Sequence, residues 1–400
     1  MEPKQHHLKR RNFLKSGLTL GAVSLLAPAE VSSKIIAEEE FKIACGPCLQ
    51  TSFGNNISIL WITTKNAASW VEYGLSADKL DQKAYGKSAY GLRPTGKINV
   101  IKLQSLQPGF RYYYRIVSKE IVDFQPYKLT YGKSINSDVY SFVNTDTTKD
   151  DVRFVMLNDI HDRPKSIPFL LDLDKEKKND FIFFNGDIFD YQTNEQQIID
   201  HMLQPCADAF AKETPFVYVR GNHETRGKYC REFPQYFENV GYDAFTVGPV
   251  RFVLLDTGED KEDAHPVYAG IVDFDAYRLQ QAEWFKQEME SKAFKKAKFR
   301  VVLMHIPPCF GGNAPGEKHV NSVFNPLLNK AKVDIVLSGH THRYIIRKPN
   351  EGENNYPIIV GGGPTEGKRT MTKVTADKNQ LNVVMLNDKG EEAGSYTLKK

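Results

Sequence analysis

Val152-Arg153-Phe154-Val155-Met156-Leu157-Asn158-Asp159-Ile160-His161-Asp162 is an apolar run that stops abruptly in amide, carboxylate and imidazole side chains. The form recurs down the chain. Phe181 to Phe184 leads into Asn185-Gly186-Asp187-Ile188-Phe189-Asp190, and Pro215 to Val219 leads into Arg220-Gly221-Asn222-His223-Glu224. Arg300 to Met304 is followed by His305, and Val333 to Leu337 by Ser338-Gly339-His340-Thr341-His342. Further apolar runs, Val250 to Leu255 and Pro357 to Val360, complete the set. Short apolar runs bounded by polar residues read as strands buried on both faces. Between them lie helical stripes, Ile199, Leu203, Cys206 and Phe210 in one, Tyr277, Gln281, Trp284 and Phe285 in another. Strands alternating with helices predict a layered α/β domain over residues 151–400.

Upstream the pattern is all-β. Ile57 to Ile62, Ser69 to Tyr73 and Lys97 to Leu103 are β-branched and aromatic, bounded by Gly, Asn and Pro. Leu106-Gln107-Pro108-Gly109-Phe110-Arg111-Tyr112 places a turn before a strand that alternates through Tyr112, Tyr114 and Ile116, with Tyr112 expected to close a sandwich corner. A β-sandwich over residues 41–145 follows, resembling a fibronectin type III or immunoglobulin-like domain. The polar excursion Lys119 to Ser137 reads as a loop or an extra hairpin, and Thr145 to Asp151 as a linker.

At 400 residues, with 41% hydrophobic and 26% charged, the composition is globular and large enough for more than one domain. Such a chain buries enough surface to fold without disulfide staples, so five cysteines make no framework. Cys45-Gly46-Pro47-Cys48 has redox-motif spacing but no βαβ context, which leaves a small structural disulfide or two unpaired thiols. Cys206 and Cys309 are expected to be buried, and Trp61 and Trp70 to belong to the sandwich core.

Residues 1–29 are expected to be an export signal. A basic segment, Lys9 to Lys15, precedes an apolar run from Gly17 to Ala27 and the small-x-small site Ala27-Pro28-Ala29. Arg10-Arg11-Asn12-Phe13-Leu14-Lys15 resembles a twin-arginine signal, implying passage through that export machinery to the periplasm or outside a bacterial cell. Eleven apolar residues are too few for a stable membrane anchor. The formal charge of +4 resides there. Five of the 53 basic and one of the 49 acidic residues fall in 1–29, leaving 48 of each beyond it. A neutral mature chain gives no electrostatic case for nucleic acid as partner.

The groups after the strands should converge, because ligands bind at the carboxyl ends of strands in α/β sheets. Oxygen and nitrogen donors without thiolate suit Mn, Fe or Zn. Asp159, His161 and His342 can hold one ion, Asn222, His305 and His340 a second, and Asp187 can bridge them, a design suited to two-metal hydrolases.

Together these residues resemble the motifs of the calcineurin-like metallophosphoesterase superfamily: Asp-x-His, Gly-Asp-x-x-Asp, Gly-Asn-His-Glu, His and Gly-His-x-His, all present and in order. The resemblance implies a four-layer αββα sandwich holding two divalent or mixed-valence metal ions. It implies hydrolysis of phosphomonoesters or phosphodiesters by hydroxide that the ions generate. It also implies that His223 protonates the leaving oxygen and that Asp190 orients His223. A sandwich ahead of such a domain resembles the layout of purple acid phosphatases. Those enzymes place a tyrosine ligand where this chain has Asp190 and lack a histidine at the position of His161, so an iron-tyrosinate chromophore is not expected. Phosphoprotein phosphatases follow the bridging motif with an arginine; Tyr191 stands there instead. Arg163, Tyr191, Arg226, His265 and His319 lie on loops among the ligand loops and are expected to be solvated more than to touch substrate. Two other readings compete: a nuclease on the same metal centre, and a silent binding protein that keeps the fold.

Overall fold

The structure is a computed structural model that describes residues 39–400, apart from 52–53, 239–240 and 351. The expected export signal, 1–29, lies outside the described residues. Residues Glu40–Lys400 form one compact unit.

Two sheets dominate. The larger runs, in order of hydrogen-bonded neighbours, through Glu392–Lys399, Gln380–Asn387, Thr370–Ala376, Val152–Leu157, Phe181–Asn185 and Phe216–Val219. It then continues into the front part through Ile43–Thr51, Ile57–Gly74, Arg111–Gln125 and Lys128–Asn136. The junction is narrow: Gln50 pairs with Phe216 in parallel register. The buried Gln50 side chain adds two bonds across it, donating to the Tyr236 carbonyl (2.7 Å) and accepting from the Glu238 amide (2.8 Å). The second sheet orders Asp243–Val247, Val250–Leu255, Phe299–Met304, Ile335–Ser338, Ile358–Val360 and Ile345–Arg347.

Val152–Leu157 shows why these runs become buried strands. Side chains alternate faces along a strand. Phe154 and Met156 enter the core between the two sheets, where they join Phe183, Phe252 and Leu303. Val155 and Leu157 point the other way, against Ile167, Leu170, Ile199 and Leu203. Burying a phenylalanine such as Phe154 stabilises by about 1.5–3 kcal/mol, and Phe154→Ala would cost about 3–5 kcal/mol once the cavity is counted. The outer face of the second sheet is covered by the helices Phe274–Glu290, Lys292–Lys296 and Pro315–Ala331 through Phe285, Phe294, Val320 and Phe324. Residues 195–211 form one helical stretch with wide π-type turns on either side of Pro205, whose missing N–H interrupts the α ladder.

In the front part, Ile57–Gly74 is a single 18-residue strand that joins the two runs read separately from the sequence. Tyr112 closes its corner, its hydroxyl accepting from the Gln107 amide at 3.0 Å. The excursion after Lys119 is a hairpin, with Phe124 paired to Leu129. Trp61 is fully buried in the front core, whereas Trp70 is only partly covered and rests against Glu72 and Lys83. Cys45 and Cys48 are buried free thiols, as are Cys206 and Cys309. Among the described residues no helix is long and apolar enough to cross a membrane.

Candidate metal centre

Parallel pairing of Val152–Leu157, Phe181–Asn185 and Phe216–Val219 brings three carboxyl-end loops side by side. Backbone bonds lace the first two together: Asp159 N to Gly186 O (3.0 Å), His161 N to Asp187 O (2.9 Å) and Asp162 N to Ile188 O (2.9 Å). The adjoining ends of Phe299–Met304 and Ile335–Ser338 deliver His305, His340 and His342. Gly221 lets the third loop close in, since a Cβ there would collide with Asp187 Oδ1. Asp159, His161, Asp187, His340 and His342 all sit at positive φ, between 49° and 73°. Left-handed backbone at non-glycine residues costs free energy and clusters where a site over-determines it.

The side chains meet as two groups that share one carboxylate. Asp159, His161, Asp187 and His342 present ligand atoms to a common point, and Asp187, His305 and His340 to a second. Asn222 belongs with the second, its Oδ1 3.0 Å from His340 Nδ1. Each aspartate has one oxygen fixed and one directed inward. Asp159 Oδ2 accepts from the His340 amide and Asp187 Oδ1 from the His223 amide, both at 2.9 Å. Asp187 Oδ2 then lies 3.6 Å from His161 Nε2 and 3.1 Å from His305 Nε2.

Whether cations fit this space is decided by its orphaned atoms. Asp159 Oδ1 and His305 Nε2 are buried and make no hydrogen bond. Burying unpaired polar atoms is costly unless something else satisfies them. Burial alone would lower the pKa of His161 and of His305, but the carboxylates of Asp159 and Asp187 outweigh it and push them to about 9 and about 10. Negative charge that retains protons on two buried imidazoles equally attracts cations, which displace those protons on binding. The donor set fits metal.

Second nitrogens are held as metal-binding histidines require. His161 Nδ1 faces the Asp190 carboxylate (2.8 Å), His305 Nδ1 donates to the Asn185 carbonyl (2.7 Å), and His340 Nε2 faces Glu317 (2.8 Å). Asp190 is thus spent on His161. Its carboxylate also comes within 4.8 Å of a His223 ring nitrogen, but the hydrogen bond to His223 is made by its backbone carbonyl, 2.7 Å from Nδ1. The difference from the sequence reading comes from the stagger of the laced loops, which brings the carboxylate over His161. His223 lies at the edge of the cluster, Nε2 4.0 Å from Asp187 Oδ2 on one side and 3.1 Å from Arg226 Nη1 on the other. Burial, and beyond it Arg226, lower its pKa against the pull of Asp187.

Other loop residues sort clearly. The Arg163 guanidinium bonds the His161 carbonyl, and Tyr191 is 56% exposed. His265 accepts from the Val267 amide, and His319 pairs with Asp275 on the helical side, so neither joins the ligand groups. Two residues were missed in the sequence. Glu317 shows no local metal-site signal, since it opens a helix whose Ala314 amide it also caps. Glu224, the last letter of Gly-Asn-His-Glu, is fully buried and accepts from four backbone amides, of Asp187, Ile188, Phe189 and Gly221. It clamps the bridging loop to the Asn222 loop.

Residues 152–344 match the calcineurin-like phosphoesterase family, and 49–144 match the purple acid phosphatase N-terminal domain. Residues 152–344 are thus similar to a calcineurin-like phosphoesterase domain. Purple acid phosphatase 21 of Arabidopsis thaliana is 28% identical over 322 residues, 76% of this chain and 67% of that protein. Purple acid phosphatase 22 of the same plant is 25% identical over 337 residues, 78% and 70%. A solved purple acid phosphatase from yellow lupin (Lupinus luteus) seeds superposes with a TM-score of 0.67 at 17% identity, covering 88% of this chain and 74% of that one. The fold is purple-acid-phosphatase-like, a β domain ahead of mixed α/β phosphoesterase sheets, and the chain is a metal-dependent phosphoester hydrolase.

Proposed function

We propose that this phosphoesterase hydrolyses small phosphomonoesters or phosphodiesters at two cations, Mn, Fe or Zn, after export from the cell. The observation that carries the reading is Asp187, whose carboxylate serves two separate ligand groups while Asp159 Oδ1 and His305 Nε2 face them without a hydrogen bond. Asp159, His161 and His342 would hold one ion, Asn222, His305 and His340 the other, with Asp187 between. Bound there, the pair supplies charge neutralisation for the phosphoryl group and an activated water. The chain's own residues do the rest. The Asp190 carbonyl accepts the His223 Nδ1–H, which leaves Nε2 accepting from Arg226 at the edge of the centre; once protonated there, His223 can give that proton to the leaving oxygen. Asp190 acts through its carboxylate as a positioning residue for His161.

The same reading takes the helix-covered sheets as an αββα sandwich over 151–400 and the front part, 41–145, as a fibronectin- or immunoglobulin-like scaffold. Support comes from cores on both faces of each phosphoesterase sheet and from the Tyr112 corner. Export rests on the basic and apolar segments within residues 1–29. With Tyr191 directed to solvent and Asp190 in the ligand motif, the metal-loaded protein should show no tyrosinate charge-transfer band. The test is turnover of p-nitrophenyl phosphate and bis-p-nitrophenyl phosphate by protein loaded with each metal in turn. Hydrolysis of either is expected. No turnover with any metal overturns the reading, and a preference for plasmid DNA would move it to a nuclease.

A further inference from the structure

Next to His223, on the far side of Arg226, lies a half-open cleft of about 730 Å³ lined in part by Thr225 and Arg226. That volume is in the range of small-molecule sites. Its cations are not alike. Arg226 is gripped by buried Glu259 (2.7 and 2.9 Å) and by Asp260 (3.0 Å), Arg220 by Asp256 (2.5 Å), and Lys261 by Asp260 (2.6 Å). Arg231 differs: among the described residues no carboxylate lies within ion-pair distance, and its partners are the Ile271 carbonyl (3.1 Å) and the Cys230 sulfur (3.9 Å). Asp273 is the acidic residue of the lining, and it too lies beyond ion-pair distance of Arg231. The same lining holds the rings of Tyr268, Phe274 and Tyr277, and beside Arg231 the side chain of Ile271, which is 64% exposed.

We infer that this cavity receives the alcohol part of the substrate, and that it selects phosphoesters of aromatic alcohols bearing a second negative group. The inference rests on the hydrolase reading above. His223 Nε2, the proposed proton donor to the leaving oxygen, is 3.1 Å from Arg226, which lines the cavity. The organic group attached to that oxygen therefore projects past His223 into it. Aromatic walls favour a ring, and an unneutralised guanidinium favours a carboxylate or phosphate on it. In the reaction, water adds to phosphorus, the phosphorus–oxygen bond to the ring breaks, and the phenol leaves with the proton from His223.

The experiment compares kcat/KM for methyl phosphate, phenyl phosphate and 4-carboxyphenyl phosphate in metal-loaded protein, with thermal unfolding as a check on folding. Wild type should prefer 4-carboxyphenyl over phenyl phosphate. Arg231→Ala should cut that ratio about fivefold, the upper scale of a solvent-exposed charged pair, and Arg231→Lys should recover part of it. Ile271→Trp, which fills the cavity at an exposed position, should cut the phenyl-to-methyl ratio at least tenfold. Ratios that match wild type in folded Arg231→Ala and Ile271→Trp overturn the cavity assignment and leave the hydrolase intact. Failure to hydrolyse any of these three monoesters with any metal overturns the cavity assignment, and the hydrolase reading falls with it if bis-p-nitrophenyl phosphate is left intact as well.

Discussion

Replacing Glu224 tests how the centre is built without touching a ligand. Its Oε1 accepts from Ile188 N (2.7 Å) and Phe189 N (3.1 Å), and its Oε2 from Asp187 N (2.9 Å) and Gly221 N (2.6 Å). All four contacts require acceptor oxygens, so the group is a carboxylate here, although burial and the nearby Asp187 push its pKa up. Glu224→Ala orphans four buried donors at about 1–3 kcal/mol each; with relaxation and non-additivity we expect about 4–6 kcal/mol. That is a large share of a typical 5–15 kcal/mol. Glu224→Gln keeps one accepting oxygen and turns an NH₂ against two amides, which should cost about 2–4 kcal/mol. Urea unfolding should be run with chelator, so that metal binding does not contribute, and metal content measured separately. Both variants should also hold less metal, since the clamp carries Asp187 and Asn222. A Glu224→Gln protein within 0.5 kcal/mol of wild type, with full metal content, would refute the argument.

His223→Ala should lower turnover about 10²–10⁴-fold while elemental analysis finds the metals retained; undiminished activity would remove its role. Asp190→Ala should weaken metal binding about 10–100-fold through His161, read by titration with a chromophoric chelator. Loss of turnover at full metal affinity would instead assign the carboxylate to His223. In the front part, Glu72 is held by Lys83 (2.9 Å), Trp70 (3.1 Å) and Arg115 (2.8 Å); burial opposes them, yet they bring its pKa down to about 2. A depressed carboxylate stabilises above its unfolded pKa near 4.3 and loses that contribution as pH falls towards 2. Glu72→Gln should thus be less stable than wild type by about 1–2 kcal/mol at pH 7, allowing for solvent screening, with the gap narrowing by pH 3. A gap that does not change with pH would contradict this.

The strand runs were legible because both faces of Val152–Leu157 are buried, which forces continuous hydrophobicity into the sequence. The ligands were legible because they stand at fixed offsets after those runs. What escaped depends on how separate segments come to rest. Glu317 meets His340 across 23 residues, and nothing local marks the pair. The histidine that each Asp190 oxygen meets depends on the stagger of Asp162 against Ile188, which no periodicity encodes. Cys45 and Cys48 stay free thiols as neighbours on a bulged strand, where Cys48 bonds the Leu203 carbonyl (3.4 Å).

One ladder of hydrogen bonds runs from the hairpin at the front to the last strand of the chain, through Gln50 and Phe216. Excising the front piece would remove the one pairing that Phe216 makes on that side of its strand and leave a sheet edge open to self-association. It would also unhook Tyr236 and Glu238, a few positions beyond Arg231. The two pieces therefore cannot be shuffled like cassettes. Mutations that reshape the front strands must also be tolerated at Tyr236 and Glu238, although those strands supply none of the candidate metal ligands.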